Sequence, residues 1–323
     1  MMLVKPMRWM CSAALLGLAV SAQADVTFAY GVTAEDQLNR VGVYLYPPVQ
    51  TEGVLSTGGP LVAQAGQVSA QVNAWADVRT GMFKAMTRVD INPVGQKPTD
   101  IAEAYARLDV TDTLVFKGPG ATATAEFRLS YDTHFSGLGF EAFAREGALS
   151  HFQQLDSFRT LTLSYDIENP DYDPGAVCTD FGSDGVYCPP EAQRYLTIEK
   201  SAGKSLFREV ALGGPTGIYT NGDADNGHYS GTEVLTLEVP TGVEVRLSYT
   251  AYSGARCFHL ASCALVNDAT HSDYLALLAP QGFSSASGYA YLGVAAAVPE
   301  PATVWMGLAG LGLVAGVLRR QRR

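Results

Sequence analysis

Ala121-Thr-Ala-Thr-Ala-Glu-Phe-Arg-Leu-Ser-Tyr-Asp-Thr-His-Phe135 alternates almost without a break. Ala121, Ala123, Ala125, Phe127, Leu129, Tyr131 and Phe135 fall on one parity. Thr122, Thr124, Glu126, Arg128, Ser130, Asp132 and His134 fall on the other. Successive side chains of a strand point to opposite faces, so this period buries one face and wets the other. Ile101 to Val110 repeats the pattern, with Ala102, Ala104, Ala106, Leu108 and Val110 facing inward. Val243, Val245, Leu247, Tyr249 and Ala251 do so again after the turn Pro240-Thr241-Gly242, and Arg159 to Ile167 sets Leu161, Leu163, Tyr165 and Ile167 on one side. Turn clusters separate these runs: Ser56-Thr-Gly-Gly-Pro60, Lys117-Gly-Pro-Gly120, Gly213-Gly-Pro215 and Asn221-Gly-Asp223. Many strands with such punctuation predict an all-β protein, an antiparallel β-sandwich of jelly-roll type. Phe140 to Leu155 is ambiguous: its apolar residues fit a helix face, but Gly147 interrupts it and a strand or loop is expected. Ser284-Ser-Ala-Ser-Gly288 reads as a short tether before the last strand.

The two ends of the chain differ from this body. Met1 to Ala24 has a basic start (Lys5, Arg8), an apolar run from Met10 to Val20, and small residues at Ala22 and Ala24. This is the pattern of a cleavable secretory signal, with Asp25 as the expected first residue of the mature chain. The run is short for a permanent anchor, and Cys11 lacks the small residues that precede a lipidated cysteine. At the other end, Ala302 to Leu318 carries no charge over seventeen residues, about the minimum for a helix across the hydrocarbon core. Its glycines permit close helix approach, and Arg319, Arg320, Arg322 and Arg323 hold that end in the cytoplasm by the positive-inside rule. Pro299-Glu300-Pro301 precedes it, kept extended by two prolines. The expected domains are a signal at 1–24, an extracytoplasmic sandwich at 25–297, and a terminal device at 298–323.

The chain has 22 basic and 32 acidic residues. Six of the basic residues lie in the terminal segments, where Glu300 is the one acid, so the body carries 16 basic against 31 acidic groups. Such a surface repels nucleic acid, which is excluded as a partner, and keeps an exported protein soluble. The body holds four cysteines, Cys178, Cys188, Cys257 and Cys263. Four cysteines allow three pairings; in an oxidising compartment the economical one joins 178 to 188 and 257 to 263. A zinc site is the competing reading, against which stand the spacings, which are not C-x2-C.

No catalytic motif is present: no G-x-S-x-G, H-E-x-x-H, P-loop or dinucleotide fingerprint, and the five histidines are scattered. No catalytic residue is assigned. A pair of glycosidase carboxylates assembled in space would escape such a reading, yet the acids placed by the pattern lie on outer faces. Asn221-Gly-Asp223-Ala-Asp225-Asn-Gly227 sets oxygen side chains at alternating positions, as calcium loops require, although Asn226 and Thr232 depart from an EF-hand. Asp171, Asp173, Asp180 and Asp184 around the first cysteine loop offer a second calcium site. The bland reading of both is a solvated turn; no cofactor is required. Val41-Gly-Val-Tyr-Leu-Tyr46 sends Tyr44 and Tyr46 to one side, where two rings would stack on sugars or simply pack.

The terminal device resembles the PEP-CTERM sorting signal, with Pro299-Glu300-Pro301, a Gly-rich apolar helix and the Arg cluster in order. The resemblance covers only about residues 297–323. It implies recognition by exosortase, a membrane-embedded transpeptidase-like enzyme, removal of the tail, and transfer from the inner membrane to the cell surface or extracellular space. It also implies a setting of exopolysaccharide and biofilm. The expectation is therefore a non-catalytic, structural or adhesive protein of that matrix. A calcium-assisted carbohydrate-binding module is the alternative, and a polysaccharide-active enzyme the third.

Overall fold

The computed structural model describes residues 24–35, 40–45, 54–92, 100–139, 151–180, 186–212, 218–260, 262–271 and 273–291. They form two eight-stranded sheets. The first runs in the order β13 (Ile218–Gly222), β12 (Tyr195–Leu212), β9 (His151–Glu168), β15 (Glu244–Phe258), β7 (Ile101–Phe116), β1 (Asp25–Glu35), β2 (Arg40–Leu45), with β18 (Phe283–Ser285) also on β7. The second runs β14 (Gly227–Pro240), β8 (Thr122–Ser136), β16 (Cys263–Ala269), β6 (Met82–Ile91), β5 (Val68–Asp77), β3 (Val54–Ser56). In that sheet β4 (Leu61–Ala65) pairs with β5, and β17 (Tyr274–Leu278) with β8 and β6. A two-stranded ribbon, β10 (Thr179–Asp180) and β11 (Val186–Tyr187), stands apart. Pairing between named strands is antiparallel throughout, and each sheet has twice the strands of a jelly-roll sheet.

The alternation predicts most of the burial, with two departures in its opening stretch: Ala121, ahead of β8, is exposed, and Ser130 is buried with its hydroxyl 2.8 Å from that of Thr232. Ala123, Ala125, Phe127, Leu129 and Phe135 of β8 are buried, as are Ala102 to Val110 on the even positions of β7. One core joins both sheets. β5 gives Ala70, Ala74 and Ala76 to this core, and β1 and β7 give Ala34, Ala102, Ala104 and Ala106; Cα atoms of β5 come within 8 Å of both facing strands, closer than the usual spacing of about 10 Å between sheets. Of the ambiguous stretch, 140–150 lies outside the described residues, and the rest begins β9. Val41 departs from the expected inward face: at the end of an edge strand it is 40% exposed, while Val43 packs on the core.

The same parity carries two charges inward. Arg159 follows Leu161 and Leu163 in β9, and Asp112 follows Val110 in β7; both are buried, so acids are not confined to outer faces. Arg159 pairs with Asp273, which is fully buried just before β17. Its Nη1 also donates to the carbonyls of Phe158 (2.7 Å) and Tyr252 (2.6 Å), and its guanidinium lies 5.2 Å from the Phe83 ring. The other oxygen of Asp273 accepts the backbone N–H of Asp132 at 2.8 Å. Burial lowers the guanidinium to about 10, so it stays charged at neutral pH.

Candidate functional site: an open sheet face and a pinned exit

The alternation turns polar residues to the outer face of the first sheet. Near the β7 C-terminus its residues stand in ranks across four strands. Thr111, Ser248, Thr162 and Ser201 are neighbours in register; so are Asp109, Thr250 and Thr160, and so are Thr113, Arg246, Ser164 and Glu199. The strands fix this grid at about 4.8 Å between neighbours. Thr250 donates to Asp109 and Thr197 to Asp166, each at 2.7 Å. A shallow hollow of about 260 Å³ opens among Thr113, Ser164, Asp166, Thr197, Glu244 and Arg246.

Further along, the same face becomes aromatic. Tyr105, Tyr252 and Phe158 stand face to face on three adjacent strands, at 6.3 and 5.0 Å between centroids. Both faces of the Tyr252 ring are thereby covered, which leaves that ring no face for a sugar. Gly254 is needed beside it: a Cβ there would sit 2.6 Å from the Tyr252 hydroxyl. The bare backbone leaves a pit of about 110 Å³ lined by Glu103, Gln154, Asp156, Tyr252 and Arg256. Burial raises the Asp156 carboxyl from 3.8 to about 6, against the pull of Arg159. The folded state therefore favours the protonated acid, and ionisation costs stability as pH rises through about 6. Asp156→Asn is expected to stabilise the protein above pH 7 by about 1 kcal/mol, after allowance for its partial exposure, and to change nothing near pH 4. Urea midpoints at the two pH values check this.

The disulfides join Cys178 to Cys188 and Cys257 to Cys263, as expected in an oxidising compartment. The first ties down an excursion between β9 and β12. Asn169 holds its base, donating to the carbonyls of Pro190 and Gln193 at 2.8 Å each. In the oxygen-rich loop, Asp225 pairs with Arg208, and Asn226 bonds the backbone N–H (2.8 Å) and carbonyl (2.6 Å) of Leu138. Asn221 and Asp223 are exposed. Gly222 has φ +100°, and a Cβ there would meet the Phe207 carbonyl at 2.1 Å, so a close turn explains this composition. Among the described residues no group of three His, Cys, Asp or Glu is gathered for a metal. Asp171 and Asp173 are exposed; Asp184 lies outside the described residues. Tyr44 is opposite Gly31, which is opposite Tyr105, so it belongs to this sheet by register; Tyr46 lies outside the described residues.

The expected tether proves to be a clamp. Asp112, 3% exposed, accepts hydrogen bonds from the hydroxyls of Ser285 (2.8 Å), Ser287 (2.6 Å) and Tyr291 (2.7 Å), and from the N–H of Thr113 (2.8 Å). Leu277 N–H donates to the Tyr291 carbonyl at 2.7 Å. Tyr291 is held at φ +43°, a conformation its surroundings must enforce. The strap from Phe283 to Tyr291 thus docks along the edge of β7 where β1 stops: Asp25 faces Thr111 and Ser285 faces Leu114. The parity of β7 carried two residues past Val110 puts Asp112 inward, where the sequence reading kept acids on outer faces, and nothing local named its partners. Ala24 packs in the core next to β1; Ala22 lies outside the described residues.

Pro299, Glu300, Pro301 and the four arginines also lie outside the described residues, among which no helix is long and apolar enough to cross a membrane. Residues 297–323 match the family model of the PEP-CTERM protein-sorting motif. The chain is accordingly an exported protein sorted through exosortase. No curated protein and no solved structure matches it.

Proposed function

We propose that this exosortase-sorted protein is a non-catalytic, structural or adhesive component of the cell surface or extracellular matrix, and that its body associates with exopolysaccharide. The hydroxyl grid on the outer face of the first sheet carries the reading. Thr111, Thr160, Ser201 and Ser248 are exposed there, on a stiff and shallow surface. Many weak hydrogen bonds from a fixed grid suit a long polyhydroxylated chain, and no single deep pocket is needed. Adhesion of this kind requires no calcium. A second reading, a polysaccharide-active enzyme, would use the pit with Glu103 and Asp156, whose raised carboxyl has the character of a general acid.

The test is thermal unfolding of the processed protein with and without the host's exopolysaccharide. A ligand that binds only the native state raises its stability with concentration. Arg246→Ala with Thr162→Val, two changes on the grid, is expected to remove that rise and leave the ligand-free melt unchanged. No rise at saturating polysaccharide would sink the adhesive reading. Release of reducing ends, abolished by Asp156→Asn, would favour the enzyme. Sorting is tested apart: Pro299→Ala, Glu300→Ala and Pro301→Ala together are expected to leave the tail uncleaved and the protein in the membrane fraction.

A further inference from the structure

We propose that the side of the sandwich bounded by β12 and β14 is an interface for a second copy of this chain, in which β12 of each copy pairs antiparallel with β14 of the other. The interface stands apart from the polysaccharide reading and does not depend on it.

Both strands end a sheet on that side. Among the described residues no strand pairs with the outer edge of β14, and β13 covers β12 only from Arg208 to Leu212. The Phe207 carbonyl accepts the Ala224 N–H, which leaves β12 open from Tyr195 to Leu206. Such edges present unpaired N–H and C=O groups, a template for another strand. The two open edges are also level. The Thr133 and Ser157 hydroxyls meet across the core at 3.2 Å; Thr133 stands opposite Tyr229 of β14, and Ser157 opposite Leu206 of β12. Asp273 joins the Asp132 N–H to Arg159, so β8 and β9 run in opposite directions, and β14 and β12 do likewise. Tyr229 to Pro240 therefore lies level with Leu206 back to Tyr195.

A two-fold axis parallel to the strands lays both edges of one copy on both edges of the other. Level edges then meet with Leu206 opposite Tyr229, Ala202 opposite Glu233 and Ile198 opposite Leu237. Parity agrees: Leu206 and Ala202 turn to the core of their own copy, as do Tyr229, Leu235 and Leu237. Core face thus continues core face, and Leu235 and Leu237, only partly buried at a bare edge, gain cover. On the outer face Val234, 55% exposed, comes beside Ser201.

Charge selects unlike edges. In this register Glu233 stands diagonal to Lys200 and Lys204, and none of the three is paired with an opposite charge among the described residues. A joint of two β14 strands about their middles would set Glu233 beside its own copy, and a joint of two β12 strands would do the same to the lysines. Each open edge is about 40 Å long and about 10 Å thick, so two edges cover about 800 Å² per copy, the area of a specific complex.

Sedimentation velocity of the processed protein is expected to show a dimer with a Kd of about 1 μM or tighter. Glu233→Lys is expected to weaken it about tenfold or more, and Lys200→Glu with Lys204→Glu in the same chain to restore it, all with unchanged melts. Ser201→Cys and Val234→Cys, made as separate proteins, map the joint. Mixed, they are expected to be coupled by a short thiol cross-linker, while neither couples to itself. A monomer at every concentration would overturn the interface and leave the charges as guards of two bare edges. Self-coupling of Val234→Cys would assign β14 to a like edge, against this pairing. A dimer that ignores the charge reversal and leaves the mixture uncoupled would place its contact elsewhere and overturn the proposal as well.

Discussion

Asp273→Ala is expected to cost about 3–5 kcal/mol of stability, enough to unfold a protein of ordinary stability in mild denaturant. The change leaves the Arg159 guanidinium buried without its counter-charge, and it takes the acceptor from the Asp132 N–H. Truncating one partner of a buried pair costs more than the pair contributes, because the orphaned charge remains. Arg159→Met in the same chain removes that charge and recovers part of the loss. Recovery stays incomplete, since Phe158 and Tyr252 carbonyls lose their donor and Asp132 N–H still lacks an acceptor. Urea denaturation of the two single variants and the double one gives the coupling. Single and double variants of equal stability would refute the account.

Asp112→Ala is expected to release the strap. The hydroxyls of Ser285, Ser287 and Tyr291 would lose this acceptor; the two serines keep the 2.6 Å bond between their own hydroxyls, while the buried Tyr291 hydroxyl would be left unpaired at about 1–3 kcal/mol if the strap stayed docked. Undocking avoids that cost by letting water in, so the loss takes the cheaper, local form. Amide exchange across residues 279–291 should rise steeply while β7 and β15 keep their protection. Asp112→Asn retains one carbonyl acceptor and should give an intermediate result. In cells, release leaves Leu278, 21 positions before Pro299, as the last docked residue of the described chain in place of Tyr291. A strap that exchanges no faster in Asp112→Ala would refute the clamp.

The strands were legible because burial on one face repeats every second residue, and β7, β8, β9 and β15 are long enough for the period to show. The same period carried on to Arg159 and Asp112 puts both inside, although the reading of the sequence had kept its acids on outer faces. What makes such charges tolerable lies far away in sequence: Asp273 is 114 residues from Arg159, and Ser285 is 173 from Asp112. No window sees such pairs. The strap looked like a tether because serine, alanine and glycine are what a flexible linker uses; one buried carboxylate turns the same serines into hydrogen-bond donors. In the Asn221–Gly227 loop two of the oxygen-bearing residues, Asp225 and Asn226, are taken up by Arg208 and Leu138, partners that lie outside the loop. The hydroxyl grid was invisible because each rank draws one residue from each of several strands. The sorting motif was readable at once, being a linear signal that needs no fold.

The clamp has a mechanical consequence. Any pull that reaches the body through the residues beyond Tyr291 meets the Asp112 hydrogen bonds and the Leu277–Tyr291 bond before it meets a long sheet ladder. Bonds loaded one after another part at lower force than ladders sheared together. The strap is then a fuse: it opens first and pays out the thirteen residues from Ala279 to Tyr291, about 45 Å of slack, while the two sheets stay shut.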